Sequence, residues 1–268
     1  MRPLVLKFGG ELLEDPARLQ LIVTAIREIA ASTPLAVVHG GGREIDAALK
    51  KAGIEKRQVE GLRITDGPTL DVVVSVLAGT INTRLVAALT TAGVAAVGLT
   101  GADGSCGLSE PAPPHRTVEG RLVDLGQVGM PAADADMRVV NTLLGGGFVP
   151  VVACIGVGRD GRLFNVNADT FAGHLAGRLH ARRLIVAGTT PGVLDSSGAT
   201  IEHIDRASIA RLVSDGTATA GMIAKLRACD EALACGVDDV AIADGRDPAA
   251  LVSAARDAAP AGATRLVR

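Results

Sequence analysis

The stretch Leu4-Val5-Leu6-Lys7-Phe8-Gly9-Gly10 decides the fold class of this chain of 268 residues. It begins with a mostly apolar run that has the length of a buried strand, and the two glycines that follow allow a tight turn. The same order, a strand and then a glycine-rich turn, recurs at residues 35–42 and 95–104. Strands that end in such turns and lead into helices are typical of a parallel sheet covered by helices.

Strand-sized apolar runs alternate with amphipathic helical stretches along the rest of the chain. In the first helix, Leu19, Ile22 and Ile26 fall at helical spacing on one face, and Arg27 lies on the other. The alternation predicts an α/β protein with a mostly parallel sheet that is covered on both faces. The predicted strands are residues 4–8, 35–38, 95–99, 149–155, 183–186 and 239–242.

Three stretches depart from this alternation. Residues 69–92 form a helical stretch that is apolar on most sides, which predicts burial either against the sheet or against another subunit. Residues 105–131 contain many prolines and glycines, which predict a hairpin or an irregular excursion. Residues 156–161 match Gly-x-Gly-x-x-Gly, but a returning strand follows instead of a helix, so we predict a glycine-rich hairpin and no dinucleotide site.

The composition argues against several classes of function. The formal net charge is -2 and the basic residues are scattered, so we expect a small ligand and neither nucleic acid nor an anionic membrane as partner. The apolar runs are shorter than the roughly 20 residues that span a bilayer, and the first residues lack a secretory segment. We therefore expect no membrane span and a cytoplasmic protein. The four cysteines lack the spacing of a zinc site or a disulfide framework.

The three glycine-rich turns are candidate ligand sites. Glycine lets backbone N–H groups approach a ligand closely, and a helix that starts behind the turn adds about half a positive charge. Any one of these turns could equally be an ordinary connection, but three together favour a site for phosphate or carboxylate. No turn ends in Gly-Lys followed by Ser or Thr, so a P-loop kinase is not expected.

Five motifs carry a resemblance to a known family. Their order along almost the whole chain resembles that of the acetylglutamate kinases, a branch of the amino acid kinase family. The motifs are Lys7-Phe8-Gly9-Gly10, Val38-His39-Gly40-Gly41-Gly42, Gly61-Leu62-Arg63-Ile64-Thr65-Asp66, Asn165-Val166-Asn167-Ala168-Asp169 and Gly221-Met222-Ile223-Ala224-Lys225.

The resemblance implies a fold and an activity. The fold is a three-layer αβα sandwich with two lobes, residues 1–170 for amino acid substrate binding and dimerisation and residues 171–268 for ATP binding. The activity is ATP-dependent phosphorylation of the side-chain carboxylate of N-acetyl-L-glutamate, a step of arginine biosynthesis. The alternatives are a related acylamino-acid kinase, from the aminoadipate branch of lysine synthesis, and a non-catalytic ligand-binding member of the fold.

The resemblance also implies three catalytic residues. Lys7 and Lys225 would stabilise the transferring phosphoryl group, which suits two cations because phosphoryl transfer depends on positioning and charge neutralisation. Asp169 would hold both lysines in place, and its position at a helix start also allows a capping role. We do not expect a general base, because the attacking carboxylate is already ionised at neutral pH.

Further residues are implied to bind substrate and nucleotide. Arg63 would grip the α-carboxylate of the substrate with two N–H groups, and Asn165 would orient the same end. Gly41 and Gly42 would offer backbone N–H groups to the attacking carboxylate and the γ-phosphoryl group. Mg²⁺ is expected to be held by the ATP phosphates and by no protein ligands. On the nucleotide side, the implied residues are Gly9, Gly10, Thr189, Gly221 and Met222.

Two positions depart from the family pattern. Ala102 stands where a lysine is common, which we treat as minor because family members vary there. Thr189 follows Gly188 in the nucleotide loop, where Ser or Thr followed by Asp is usual. The lost acidic contact leaves the details of nucleotide binding open, and it motivates the non-catalytic alternative.

The expected assembly is a homodimer formed through the apolar helix at residues 69–92, with a monomer as the alternative. Arginine-inhibited members of the family carry an additional N-terminal helix, whereas the predicted first strand starts here at Leu4. The carboxyl end also departs from the ending of those members. We therefore expect an activity that is insensitive to arginine.

Overall fold

A computed structural model describes residues 1–205, 207–209, 212, 220–256 and 262–267. Strands and helices alternate in it as predicted. In chain order, the elements are β1 (Leu4–Phe8), α1 (Pro16–Ala30), β2 (Leu35–His39), α2 (Gly42–Lys51), β3 (Gln58–Val59), β4 (Leu62–Arg63), α3 (Gly67–Val74), a π-helical segment (Ser75–Ile81), α4 (Asn82–Thr91), β5 (Ala96–Thr100), β6 (Ser109–Pro111), β7 (His115–Arg116), β8 (Leu122–Val123), β9 (Gly129–Pro131), α5 (Arg138–Gly145), β10 (Val149–Ala153), β11 (Ile155–Val157), β12 (Leu163–Asn165), α6 (Ala168–Arg178), β13 (Arg183–Gly188), β14 (His203–Asp205), α7 (Ala220–Ala234), β15 (Asp239–Asp244), α8 (Pro248–Arg256) and β16 (Ala263–Val267).

Eight strands form one central sheet in the order β14-β16-β15-β13-β1-β2-β10-β5. Neighbouring strands in this sheet run parallel, except that β15 and β16 are antiparallel. The prediction of a mostly parallel sheet is therefore confirmed. β1 lies inside the sheet between β2 and β13, and Leu4, Val5, Leu6 and Phe8 are fully buried.

Helices cover both faces of the sheet, which confirms the three-layer αβα architecture. On one face, α1 packs against α4 and α8. On the other face, α6 packs against α7 and contacts β1, β2 and β13, while α5 contacts β2 and β10. Burial on both faces explains why the strands are continuous apolar runs rather than alternating ones.

The predicted strand at residues 149–155 is interrupted in the structure. β10 ends at Ala153, and the chain then leaves the sheet after Cys154 to form β11, which pairs antiparallel with β12. This pair confirms the hairpin predicted for the glycine-rich residues 156–161. The excursion at residues 105–131 also contains antiparallel pairs, β6 with β9 and β7 with β8, as predicted.

One continuous helical stretch, Gly67–Thr91, joins α3, the π-helical segment and α4. It has 25 residues, and an 18-residue window within it has a mean hydropathy of 1.8, so by length and composition alone it could cross a membrane. One side of it lies in the core, where Val73, Leu77, Ile81 and Leu85 are at most 1% exposed. Burial against the chain's own fold is thus confirmed for that side.

A buried ion cluster joins β13, β15 and β16. Arg183 and Asp239 form an ion pair, and their side chains are only 4% and 7% exposed. Arg265 approaches the same carboxylate, with Nη2 2.7 Å from Oδ2 of Asp239. Burial alone would raise the pKa of Asp239, but the two guanidinium groups outweigh it and hold that pKa below its ordinary value.

We expect Asp239→Asn to destabilise the protein by about 3–5 kcal/mol, because it leaves a buried arginine without its counter-charge. Since the folded-state pKa is lowered, the contribution of Asp239 is present above its unfolded-state pKa and is lost as the pH falls through the folded-state value. Urea denaturation at pH 7 measures the loss. The control is Asp134→Asn, which breaks a solvent-exposed pair with Arg159 and should change the stability much less. Equal losses in both variants would contradict the role given to burial.

Candidate active site

The candidate active site lies at the carboxyl edge of the sheet, where β1, β2 and β10 end side by side. Turns that follow adjacent parallel strands meet at one edge, and ligands of α/β sheets bind there. A cavity of about 270 Å³ opens at this edge. The predicted site residues that line it are Lys7, Gly9, Gly10, Gly41, Gly42, Arg63, Asn165 and Asp169.

Lys7 and Asp169 form the buried ion pair of this cavity. Lys7 lies on β1 and is 6% exposed, and its Nζ is 2.7 Å from Oδ1 of Asp169 on α6. Burial alone would lower the pKa of Lys7 and raise that of Asp169. The attraction between them outweighs burial, so the pKa of Lys7 is raised and that of Asp169 is lowered. Both groups are therefore charged at neutral pH.

Lys225 approaches the same carboxylate from α7. A Cβ atom on Gly188, at the end of β13, would lie 3.6 Å from its Nζ, which places the ammonium group beside that strand end. Burial and repulsion from Lys7 lower the pKa of Lys225, and attraction to Asp169 opposes this shift. The charge of Asp169 thus acts on two ammonium groups from different elements, and Lys7 is the one in direct contact with it.

Asn167, and not Asp169, caps helix α6. Its Oδ1 accepts hydrogen bonds from the backbone N–H groups of Asp169 and Thr170, at 2.9 and 3.1 Å. The capping role that the sequence allowed for Asp169 is therefore taken by its neighbour two positions earlier. Because Asn167 supplies the cap, the carboxylate of Asp169 is available to pair with Lys7.

The glycine turns after β1 and β2 are packed against each other. The N–H of Gly40 donates to the Phe8 carbonyl at 3.0 Å. A Cβ atom on Gly10 would lie 2.5 Å from the Cα of Gly41, so only glycine allows the two backbones to approach this closely. Gly41 is the N-cap residue of α2, and Gly42 is its first residue. The turn therefore brings the positive end of α2 to the cavity.

Arg63 is held at the cavity wall by α2. Its Nη2 donates to the Gly42 carbonyl at 3.3 Å and forms an ion pair with Asp46, whose other oxygen is 2.7 Å from Lys56 Nζ. Nη1 of Arg63 is also buried, and none of the described residues provides it with a hydrogen-bond acceptor. A buried N–H group that lacks a partner favours a ligand that accepts a hydrogen bond at this place.

Asn165 is the last residue of β12 and lines the same cavity. Its Nδ2 donates to the Thr65 hydroxyl at 3.1 Å, and its backbone N–H donates to the Gln127 carbonyl at 2.9 Å. The β11–β12 hairpin is thereby joined to the chain near Arg63. These contacts bring the two predicted substrate residues to the same cavity.

The other predicted nucleotide residues, Thr189, Gly221 and Met222, are not among the described residues that line this cavity. Thr189 is exposed directly after β13, next to Gly188. Met222 lies on α7 and packs partly against the hydrophobic core. The backbone of Gly221 belongs to α7, and its surroundings lie outside the described residues.

Three polar residues of the site carried no predicted role. Glu11 lines the cavity directly after the first glycine turn, and Cys154 lines it where β10 ends. Burial raises the pKa of the Cys154 thiol to about 12, so it is protonated at neutral pH. Asp46 anchors Arg63 from the second turn of α2. In the sequence, the position of Glu11 beside a glycine turn could have indicated a place in the site. The contact of Asp46 with Arg63 could not be found in this way, because it depends on how β4 folds over α2.

The chain belongs to the amino acid kinase family, whose sequence model matches residues 2–244. The protein is therefore a kinase. Among its curated relatives, the acetylglutamate kinase of Sphingopyxis alaskensis is 42% identical over 254 residues, which cover 92% of this chain and 83% of that protein. The acetylglutamate kinase of Nitrobacter hamburgensis is 41% identical over 256 residues, covering 93% and 85%.

A solved structure shows the same fold at low sequence identity. Carbamate kinase from Giardia lamblia, bound to AMP-PNP, superposes with a TM-score of 0.71 at 16% identity. The match covers 100% of this chain and 98% of that one. The two chains therefore share their fold.

Proposed function

We propose that this kinase transfers the γ-phosphoryl group of ATP to the side-chain carboxylate of N-acetyl-L-glutamate, giving N-acetyl-L-glutamyl 5-phosphate and ADP. The observation that carries the proposal is the buried group of Lys7, Asp169 and Lys225 beside the glycine turns. The curated relatives support this substrate, because both are acetylglutamate kinases and this chain matches them over most of their length. The same relatives do not favour the aminoadipate alternative or a non-catalytic role. The reaction belongs to arginine biosynthesis, and we assign it to the cytoplasm.

In this mechanism, a carboxylate oxygen of the substrate attacks the γ-phosphorus atom. The new P–O bond forms while the bond to the β–γ bridging oxygen breaks, and ADP leaves with the electron pair. No proton has to be removed, because the attacking group is already ionised. The charge that moves to the equatorial and leaving oxygens is balanced by Lys7 and Lys225.

Asp169 acts by holding the ammonium groups rather than by taking a proton. One carboxylate cannot pair fully with two ammonium groups, so N–H donors of both lysines are left for an anionic phosphoryl group. The Lys7 contact of 2.7 Å also restrains a flexible side chain before the substrate binds. The site is therefore arranged in advance for the transition state.

The substrate end of the cavity is assigned to Arg63 and Asn165. The free Nη1 of Arg63 can donate to the α-carboxylate of the substrate while Asp46 retains Nη2. The N–H groups of Gly41 and Gly42, at the start of α2, then lie on the side of the reacting carboxylate. This orientation directs the substrate side chain towards Lys7.

ATP is assigned to the lobe formed by residues 171–268, with residues 1–170 as the substrate lobe. Gly9 and Gly10 would meet its phosphates, and Thr189, Gly221 and Met222 would contact the nucleotide. Mg²⁺ travels on the ATP phosphates, whose oxygen atoms are ligands that it prefers.

We expect Lys7→Ala and Lys225→Ala each to lower kcat by at least about 100-fold, since each removes charge neutralisation needed mainly in the transition state. A coupled assay of ADP release with N-acetyl-L-glutamate, glutamate, aspartate and N-acetyl-aminoadipate measures both the reaction and its selectivity. Lys51→Ala, an exposed lysine on α2, is the matched control and should keep the wild-type kcat. Wild-type turnover with aminoadipate and not with glutamate derivatives would refute the proposed substrate.

Arg63→Lys should raise the KM for N-acetyl-L-glutamate by about 10-fold or more, because a point charge replaces a planar fork. The KM for ATP should change much less. Arg57→Lys is the control, since Arg57 pairs with Asp66 on the surface. If substitution of Arg63 altered only the ATP titration, the two pockets would have been assigned the wrong way round.

We further propose a homodimer formed through the solvent side of the helical stretch Gly67–Thr91. Ser75, Gly79, Thr83 and Ala87 recur every fourth residue on that side and are exposed. A Cβ atom on Gly79 would meet no atom within 4 Å in the chain itself. Small residues at this spacing allow a second helix to approach closely, and the stretch is markedly apolar.

Gly79→Arg should therefore convert the dimer to a monomer, because it places a charge on the proposed contact without a clash inside the chain. Light scattering of the purified protein gives the mass in solution. Gln20→Arg, at an exposed position of α1, is the control and should remain dimeric. A monomeric wild-type protein would refute the proposed contact.

A further inference from the structure

Two buried polar side chains meet behind the glycine turn that follows β2. His39 is fully buried, and Asn82, the first residue of α4, is 5% exposed. Nδ2 of Asn82 lies 3.1 Å from Nε2 of His39 and also donates to the Val151 carbonyl at 2.9 Å. Nδ1 of His39 lies 3.3 Å from the carbonyl oxygen of Gly40. The two side chains thus connect the long helix, β10 and the glycine turn.

The partners select one tautomer of His39. A carbonyl oxygen can only accept a hydrogen bond, so the proton belongs on Nδ1, which faces Gly40. Nε2 of the neutral ring then has a lone pair and accepts from the amide of Asn82. Burial is the main cause that lowers the pKa of His39 to about 4, so the ring is neutral at pH 7.

These contacts hold both polar groups of Gly40. Its N–H donates to the Phe8 carbonyl on β1, and its carbonyl accepts from His39. The peptide plane between Gly40 and Gly41 is fixed as a result. Gly41 and Gly42 come next in the chain, and both line the active-site cavity.

The π-helical segment supports the same turn from the helix side. Leu77 and Ile81 lie over Gly41, so closely that a Cβ atom on Gly41 would clash with both. Leu77 and Asn82 are five positions apart, which is the spacing of one π-helical turn. Because the turn is widened, Leu77 and Asn82 lie on the same side of the helix. Leu77 makes the apolar contact to Gly41, and Asn82 makes the polar contact to His39.

We propose that His39 and Asn82 are positioning residues for phosphoryl transfer. Neither lines the cavity; they keep the Gly40–Gly42 turn in the orientation that aims its N–H groups at the reacting carboxylate. The kinetic part of this proposal rests on the proposed function. A displacement of about 1 Å in a reacting geometry can cost about 100-fold in rate, so loss of this support should appear in kcat.

Three variants separate the contacts. His39→Gln keeps an acceptor near the place of Nε2 and loses the contact to Gly40, whereas His39→Asn keeps a donor near Nδ1 and loses the acceptor for Asn82. Gly98→Ala retains both polar side chains but places a Cβ atom against Oδ1 of Asn82. Gly145→Ala is the matched control, because its Cβ atom would meet nothing within 4 Å.

Steady-state kinetics at 25 °C and thermal denaturation are measured on all four variants. His39→Gln should lower kcat by about 10-fold or more, with both KM values within about threefold of wild type. His39→Asn and Gly98→Ala both keep the donor to Gly40 and disturb only the contact with Asn82, so each should lower kcat less than His39→Gln does, and Gly145→Ala should match the wild type. A lowered Tm with unchanged kcat, or equal kcat values for the two His39 variants, would overturn the positioning role.

The tautomer provides a test that needs no turnover. The ¹⁵N spectrum of histidine-labelled protein at pH 7 should contain one ring protonated on Nδ1, and His39→Gln should lack that signal. A proton on Nε2 of this ring would overturn the proposed pair even in an active kinase. Conversely, a wild-type protein that does not phosphorylate N-acetyl-L-glutamate but shows the Nδ1 signal would refute the substrate and retain the pair.

Discussion

An ammonium group that is withdrawn from water needs a carboxylate beside it, and this requirement determines where β1 meets α6. Lys7 is surrounded by the apolar sheet, and Asp169 is the carboxylate within 2.7 Å of it. Without that partner, burial would favour the neutral amine. The ion pair thus keeps the ammonium group of Lys7 protonated at a strand end where two glycine turns also meet.

The third member of the group comes from far along the chain. Lys225 on α7 lies close enough to the same carboxylate to be attracted by its charge, and a single carboxylate cannot pair fully with both cations. In the proposed reaction, a phosphoryl group in transit relieves the repulsion between the two lysines and is stabilised by them more than a ground-state substrate would be, which is the condition for catalysis.

Close packing also fixes the backbone beside the two lysines. Parallel pairing of β1 with β2 brings Gly10 against Gly41, and the absence of Cβ atoms lets the two turns touch. The helical stretch Gly67–Thr91 closes the turn from behind, with apolar contacts to Gly41 and the polar contact of Asn82. The same helix presents its small residues to solvent, so one element supports the site on one side and carries the proposed dimer contact on the other.

Several features of this protein could be predicted from sequence because they depend on local spacing. The strand runs and the face of α1 follow from their periodicity, and the hairpin at residues 156–161 follows from its glycines and the returning strand. The catalytic candidates were accessible for another reason: Lys7 and Asp169 each stand beside a turn whose residue types are unusual. Their motifs also occur in the order of a known family.

The sequence by itself determined the class of fold, its strands and the residue types offered to a ligand, since these properties are set by neighbours within a few positions. Only the tertiary structure decided that Asn167 rather than Asp169 caps α6, that Asp46 anchors Arg63, and that β10 ends before Cys154. The π-helical segment is another feature that only the tertiary structure shows. Its widened turn brings Asn82 to His39, which lies on a strand 43 positions away in the sequence. Such contacts join residues that are distant in the chain, so their partners are chosen by the packing of helices on the sheet and not by any spacing along the sequence.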